Sequence, residues 1–147
     1  IMSLKDGTKK MSKSDPVEAS RINLTDDADA IAKKIKKAKT DSDPLPGTVE
    51  GLEGRPDARN LVNIYAALSE SSVADVLAAN DGKMFGYFKQ DLADLAVTKL
   101  APVSSEMARL MQDPAEIDRI LARGAERARE ITVPILERTY DIVGMVR

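Results

Sequence analysis

Residues 58–68 read Ala-Arg-Asn-Leu-Val-Asn-Ile-Tyr-Ala-Ala-Leu, and this stretch indicates the class of fold. Its apolar stripe recurs at helical spacing, at Leu61, Val62, Tyr65 and Leu68. A period near 3.6 residues places one face of an α-helix against a core. The pattern stays helical to the carboxyl end, and 43% hydrophobic residues with only 3% aromatic residues suit a bundle rich in Ala and Leu. We therefore predict an all-α fold, a bundle of about five helices.

Three helices are predicted after this one. The segment from Val73 to Ala79 is short and precedes Asn80-Asp81-Gly82, where glycine tolerates a left-handed backbone. The next helix starts near Phe85-Gly86-Tyr87-Phe88, whose rings we assign to core packing rather than to base stacking. We expect Pro102 to kink or interrupt it. The last helix opens at Asp113-Pro114, with an acidic cap and a proline in its first turn.

The last helix combines an apolar seam with a charged face. The seam is predicted to pack and consists of Ile117, Leu121, Gly124, Ala128, Ile131 and Ile135. Pro134 is expected to bend it. The opposite face alternates in sign, and we interpret it as surface salt links rather than as an RNA surface. Its residues are Arg119, Arg123, Glu126, Arg127 and Glu130.

Ahead of residue 58, a lysine-rich helix is followed by a loop. We expect Thr25 to cap the helix, Asp26 and Asp27 to favour its positive end, and its last turn to lie near Ala38. The lysines from Lys33 to Lys39 fit two interpretations: a solvated face that offsets the helix dipole, or a surface for the phosphates of a polyanion. Residues 40–57, rich in proline and glycine, predict a flexible loop that either contacts a partner nucleic acid or simply tolerates variation, and we favour tolerance.

The most specific motif is Lys10-Met11-Ser12-Lys13-Ser14, followed by Asp15-Pro16. Two lysines three residues apart, interleaved with hydroxyls between Gly7 and Pro16, form a cationic loop suited to holding phosphates. A solvated basic turn would be the ordinary explanation of Lys-x-x-Lys. The full string, however, would arise by chance in roughly one chain of this size in 10^4.

This motif resembles the second signature of the class I aminoacyl-tRNA synthetases, whose nucleotide-binding domain ends in such a loop. Most members continue toward a Gly-Asn pair, whereas Asp15-Pro16 is similar to the tryptophanyl-tRNA synthetases. Pieces similar to that family span nearly the whole chain. They are Ile1–Leu4, Arg21–Asp27, Lys33–Ile35, Thr40–Ser42, Asn60–Tyr65 and Gly86–Lys89.

The resemblance implies roles for individual residues. Lys10 and Lys13 match the catalytic lysines that stabilise departing pyrophosphate, and Ile1, Met11, Ser12 and Ser14 complete the implied ATP-binding set. Magnesium is expected to arrive with ATP, with no metal site and no tightly bound cofactor in this chain. The implied tRNA-binding residues follow the lysine-rich helix; they are Lys36, Lys37, Lys39, Thr40, Asp41 and Ser42.

The chain also lacks features of those enzymes. It has no histidine for their first signature, and no alternation of strands with helices that would build a nucleotide-binding sheet. We therefore interpret it as a fragment. Residues 1–19, a strand end and the phosphate loop, are the expected remnant of a catalytic α/β domain, and residues 20–147 the helical anticodon-binding domain. The fragment is expected to bind tRNA without catalysing the reaction.

Charge and composition narrow the partners. Residues 1–39 carry ten Lys and Arg against six Asp and Glu, and the remainder twelve against eighteen. A polyanion is thus expected to meet the first part. The chain has no cysteine and no apolar run that could span a bilayer, which fits a cytoplasmic protein that does not contact membranes. In the full-length enzyme, the resemblance implies tryptophan tRNA, ATP, tryptophan and a second copy as partners.

Two alternatives remain open. One is the same loop in another adenylate-forming class I synthetase, for which a Gly-Asn pair after the motif would be expected. The other is a non-catalytic helical interaction module that is indifferent to ATP and tRNA.

Overall fold

The computed structural model describes residues 1–144 and confirms the all-α prediction for them. They contain no strand; the nearest approach is an isolated antiparallel bridge between Met2 and Lys10. The α-helices are α1 (Ala28–Lys36), α2 (Pro56–Ser69), α3 (Val73–Ala79), α4 (Phe85–Met111) and α5 (Pro114–Val143), with short 3-10 turns at Glu18–Ser20 and Glu50–Leu52. The chain divides into two compact units, Ile1–Ser105 and a second that begins at Glu106.

The first unit is built around a closely packed apolar core. Phe88 of α4 is fully buried, and its ring stacks on that of Tyr65 with the centroids 5.3 Å apart. The ring of Phe85 meets the ring of Phe88 edge-on, with the centroids 6.3 Å apart. The core assignment of the aromatic cluster is thus confirmed for Phe85 and Phe88, but Tyr87 is 72% exposed and is an exception.

Leu4 joins the amino-terminal segment to this core. Its side chain is 2% exposed. Its N–H donates to the Ser20 carbonyl at 2.8 Å, and its own carbonyl accepts from Lys39 N–H at 2.8 Å. The residues on either side of the motif loop and Lys39, three residues beyond the end of α1, are therefore bound to one another.

Helix α1 starts later and ends earlier than expected. Its N-cap is Asp27, whose carboxylate accepts from Ala30 N–H at 2.8 Å, and not Thr25. The Asp26 carboxylate is already engaged by Asn23 N–H, which holds the preceding residues in a turn. The helix ends at Lys36 rather than near Ala38, although Ala38 remains in the core.

The two long helices differ from their predicted form. Pro102 was expected to kink or interrupt α4; the helix continues through it, so the interruption was wrong, and the kink stays a prediction. Helix α5 begins at Pro114 with Asp113 accepting from Glu116 N–H, as predicted. No side chain of α5 is buried, however, and the predicted packing seam is exposed, with Leu121 at 63% and Ile131 at 67%.

Residues 40–55 form the predicted loop, which ends two residues earlier than expected because Pro56 opens α2, and this loop has firm anchors. Leu45 and Leu52 are each 1% exposed and belong to the core. Arg55 bonds to the Asp41 carboxylate at 2.6 and 2.9 Å and to the carbonyls of Asp43 and Pro44. The mobility of this segment stays a prediction.

The aromatic cluster gives a matched test of the core. We expect Phe88→Ala to lower the free energy of unfolding of the first unit by about 3 to 5 kcal/mol, because it leaves a cavity. Tyr87→Ala, on the neighbouring exposed residue, is expected to change it by about 0.5 kcal/mol or less. Urea denaturation followed by circular dichroism measures both, and equal losses would contradict the packing described.

Candidate functional site

The motif loop is carried by a small hairpin at the amino end of the chain. Ser3 N–H donates to the Lys9 carbonyl at 2.8 Å, and Met11 N–H to the Ile1 carbonyl at 3.3 Å. The chain turns between these strand-like pieces at Asp6-Gly7-Thr8. Lys10 therefore extends from a backbone whose position is defined on both sides.

The turn from Ser12 to Ser14 projects from this hairpin between two anchors. Met11 packs partly against the core, and the Asp15 carbonyl accepts from the Arg21 guanidinium at 2.8 Å. The hydroxyls of Ser12 and Ser14 lie 3.0 Å apart, and both residues are exposed. Between its anchors the turn bonds only to itself in the contacts described.

A cavity of about 620 Å³ opens beside the loop. Its charged and hydroxyl lining comes from Ser3, Lys5, Asp6, Lys9, Lys10, Ser12, Ser14, Asp15 and Ser20. Of its three lysines, Lys5 donates to the Lys37 carbonyl at 2.7 Å and Lys9 lies 3.3 Å from the Asp6 carboxylate. Lysine ammonium groups and serine hydroxyls are donors that suit phosphate oxygens. The structure thus brings together Lys10, Ser12 and Ser14 of the predicted ATP set.

Other members of that set lie outside the cavity lining. Lys13 is exposed at the tip of the turn, Ile1 is 63% exposed, and Met11 is half-buried against the core. The cavity also includes lysines that the sequence analysis missed, Lys5 and Lys9. Their position depends on the hairpin, for which the sequence offered only a short apolar segment and a glycine.

Ser20 is a further residue that the motif did not indicate. It lines the cavity and is 1% exposed, and its hydroxyl has no hydrogen-bond partner. A buried hydroxyl without a partner costs about 1 to 3 kcal/mol. No feature of the sequence distinguishes it from an ordinary loop serine.

The lysines of α1 do not form one continuous basic face. Lys33, Lys36, Lys37 and Lys39 are exposed. Lys34 is instead 8% exposed, and its ammonium lies 2.6 Å from the Asp26 carboxylate and 3.4 Å from that of Glu18. Lys34 therefore stabilises the fold, and the exposed cations remain on either side of it along the chain.

Two of the predicted tRNA residues have partners within the fold. Lys39 lies 3.1 Å from the Asp57 carboxylate, although its side chain is still 61% exposed. Asp41 is held by Arg55, and that hydrogen bond keeps the pKa of the Asp41 carboxyl below its usual value. A contact between Asp41 and a base edge would have to compete with Arg55, whereas Ser42 is exposed.

Residues 1–144 hold no cluster of three or more His, Cys, Asp or Glu side chains that could coordinate a metal ion. Among the same residues, no helix has the length and apolarity needed to cross a membrane.

Comparison with known proteins identifies the class. The family pattern described as tRNA synthetases class I (W and Y) matches residues 1–101. The chain belongs to this family of class I tRNA synthetases.

Its individual relatives are more specific. It is 62% identical over all 147 residues to the Tryptophan--tRNA ligase of Agrobacterium fabrum and 58% identical to that of Brucella melitensis. The match covers 42% and 41% of those proteins. The crystal structure of tryptophanyl-tRNA synthetase from Mycoplasma pneumoniae superimposes with a TM-score of 0.77 at 27% identity, covering the whole chain and 46% of that protein. The chain thus spans about two fifths of the length of the curated relatives that it matches.

The ion pair between Lys34 and Asp26 predicts that the stability of the fold depends on pH. Burial raises the pKa of Asp26, but hydrogen bonds from Lys34 and Asn23 outweigh it, so the net pKa lies below the ordinary 3.8. A carboxyl with a lowered folded-state pKa stabilises the fold above its unfolded pKa, and this contribution is lost as pH falls through the folded value. We expect Asp26→Asn to lower the free energy of unfolding by about 1 to 3 kcal/mol at pH 7.

That difference between wild type and Asp26→Asn is expected to shrink below about pH 4. Urea titrations at pH 7, 5 and 3 measure it, with Asp29→Asn on an exposed position of α1 as the control. A difference that stays constant down to pH 3 would contradict the assignment.

Proposed function

We propose that this chain is part of an enzyme that activates tryptophan with ATP and attaches it to its tRNA. The observation that carries the proposal is the cavity in which Lys10, Ser12 and Ser14 meet, within a chain that matches Tryptophan--tRNA ligases along its whole length. The same proposal makes ATP, tryptophan and tryptophan tRNA the partners of the full-length protein and the cytoplasm its place of action. A homodimer of the full-length protein is part of the proposal.

In the proposed reaction, the tryptophan carboxylate attacks the α-phosphorus of ATP, giving the adenylate and pyrophosphate. Negative charge develops on the departing pyrophosphate, and Lys10 and Lys13 stabilise it. A charge aimed at a transition state is worth most when it is positioned beforehand, since little reorganisation is then needed. Lys10 satisfies this condition because the hairpin fixes its backbone. Mg²⁺ comes with the nucleotide.

Lys13 needs a movement of the turn to take part. Its turn is fixed at Met11 and at Asp15, and the residues between these anchors make hydrogen bonds only with one another in the contacts described. We propose that this turn folds over the cavity when phosphates enter it, which brings the Lys13 ammonium to the departing charge.

The helical residues after the loop are proposed to meet the tRNA. Lys36 and Lys37 are exposed where α1 ends, and Lys39, Thr40 and Ser42 follow along the chain. Lysines on phosphates give affinity that depends on salt but carries no base information. Base selection would need side chains such as those of Asp41 and Ser42 at unstacked base edges.

The catalytic proposal is tested in two forms of the protein. Tryptophan-dependent exchange of pyrophosphate into ATP is expected in the full-length protein, and Lys10→Ala is expected to lower its rate by about 10^2 to 10^3. The 147-residue chain alone is expected to show no exchange, and weak ATP binding by calorimetry, because a mobile turn must be ordered at the expense of affinity. Pyrophosphate exchange by the isolated chain would contradict the proposal that catalysis needs the rest of the full-length protein.

The tRNA proposal is tested by titration of the chain into labelled tryptophan tRNA at two salt concentrations. We expect Lys36→Glu with Lys37→Glu to weaken binding and to flatten its dependence on salt, because phosphate contacts are lost. Arg127→Glu with Arg129→Glu on α5 makes the same change of charge outside the basic stretch and serves as the control. Equal effects of the two pairs would show that only net charge matters, and a tRNA with an altered anticodon tests selectivity.

A further inference from the structure

We propose that Asn60 and Asp57, at the start of α2, are positioning residues that set the place of the phosphate loop. This inference rests on the proposed function. Neither residue lines the cavity beside the loop, so each would act through the backbone that carries Lys10. The argument begins with the way these two side chains hold the hairpin.

Asn60 binds the first strand-like piece of the hairpin, at Met2 and Ser3, through both the oxygen and the nitrogen of its side-chain amide. Its Oδ1 accepts from Met2 N–H at 2.9 Å, and its Nδ2 donates to the carbonyls of Met2 and Ser3 at 2.9 and 3.2 Å. The side chain is 3% exposed. The amide oxygen and the two N–H groups of Asn60 thus bind three backbone groups of two consecutive residues, in the way that the backbone of a neighbouring strand would. Aspartate has no donors for the two carbonyls, and alanine reaches none of these groups.

Asp57 binds the turn of the same hairpin. One carboxylate oxygen accepts from Gly7 N–H, and the other lies 3.1 Å from the Lys39 ammonium. Gly7 itself lies directly on the first turn of α2, where a Cβ would overlap the backbone of Pro56. The hairpin is therefore held against α2 at two places, at Gly7 in its turn and at Met2 and Ser3. It cannot slide along the helix without breaking hydrogen bonds at both places.

The restraint extends to Lys10 through the pairing within the hairpin. Met2 forms the bridge to Lys10, Ser3 N–H donates to the Lys9 carbonyl, and Met11 N–H donates to the Ile1 carbonyl. The residues that Asn60 holds are the ones that pair with Lys9 and Lys10. A displacement of about 1 Å in a catalytic group can lower a rate by about 100-fold. Loss of the Asn60 contacts would shift Lys10 without touching substrate.

The expected kinetic effect distinguishes positioning from stability. In the full-length protein, Asn60→Ala is expected to lower kcat of pyrophosphate exchange by about tenfold while KM for tryptophan stays unchanged. Asn63→Ala lies one turn away on the exposed side of α2 and is expected to leave both unchanged. Rates are normalised to the concentration of folded protein measured by circular dichroism, so that unfolded protein does not count.

The decisive measurement repeats Asn60→Ala in a background in which Lys10 and Lys13 are both alanine. If Asn60 acts by positioning the loop lysines, its loss should matter little once both lysines are gone. In that background we therefore expect Asn60→Ala to lower kcat by less than a further twofold. A tenfold loss in both backgrounds would overturn the inference and assign Asn60 to general stability. No loss in the wild-type background would overturn it as well.

A second pair of variants covers the case in which Asn60→Ala does not fold. Asp57→Ala removes the acceptor for Gly7 N–H and is expected to lower kcat by about tenfold. Asp57→Asn keeps an amide oxygen that can accept the same bond, and it is expected to recover most of the loss. Equal activity of the two Asp57 variants would overturn the inference. Failure of the proposed function looks different, since alanine at Lys10 would then leave exchange unchanged or wild type would show no exchange.

Discussion

The backbone of Leu4 is the point on which the first unit depends. Its side chain lies in the core, its N–H meets the carbonyl of Ser20, and its carbonyl meets the N–H of Lys39. A buried backbone group must be paired, so the chain before the motif, the chain after it and the end of α1 converge on one residue. The two ends of the motif loop are thus bound to the same part of the core. In the contacts described, its turn makes hydrogen bonds only within itself, whereas its base is bound on both sides.

Some lysines of the first unit are bound within the fold, and others are exposed to a partner. Lys5 donates to the Lys37 carbonyl and Lys89 to the Ala38 carbonyl, each at 2.7 Å. These bonds satisfy carbonyl groups that have no partner within the helix where α1 ends. Burial, together with the charge of Lys5, lowers the pKa of Lys89. Lys34 is bound in its ion pair. A count of positive charge in the sequence therefore overstates the cations that a partner would meet.

The sequence predicted what depends on near neighbours. The stripe of α2, the bounds of α3 and the capped start of α5 follow from propensity, period and capping, and the structure has them. It did not predict the roles of Lys34 and Asp41, because their partners lie eight and fourteen residues away along the chain. The apolar seam of α5 shows a third limit, since periodicity identifies an apolar face without showing what covers it. The candidate site was predicted at its motif residues, whereas Lys5, Lys9 and Ser20 join it only through the hairpin.

The close approach of Gly7 to α2 restricts how this protein can evolve. The atoms that a Cβ would meet belong to the backbone of Pro56 and to the nitrogen of Asp57, not to a side chain. No replacement of a neighbouring side chain could make room, so a larger residue at position 7 could be accepted only if the hairpin turn or the first turn of α2 moved. A change in the length of the hairpin, or of the loop that precedes α2, could provide that movement. Variation at position 7 is therefore expected to be accompanied by insertions or deletions in one of these two segments.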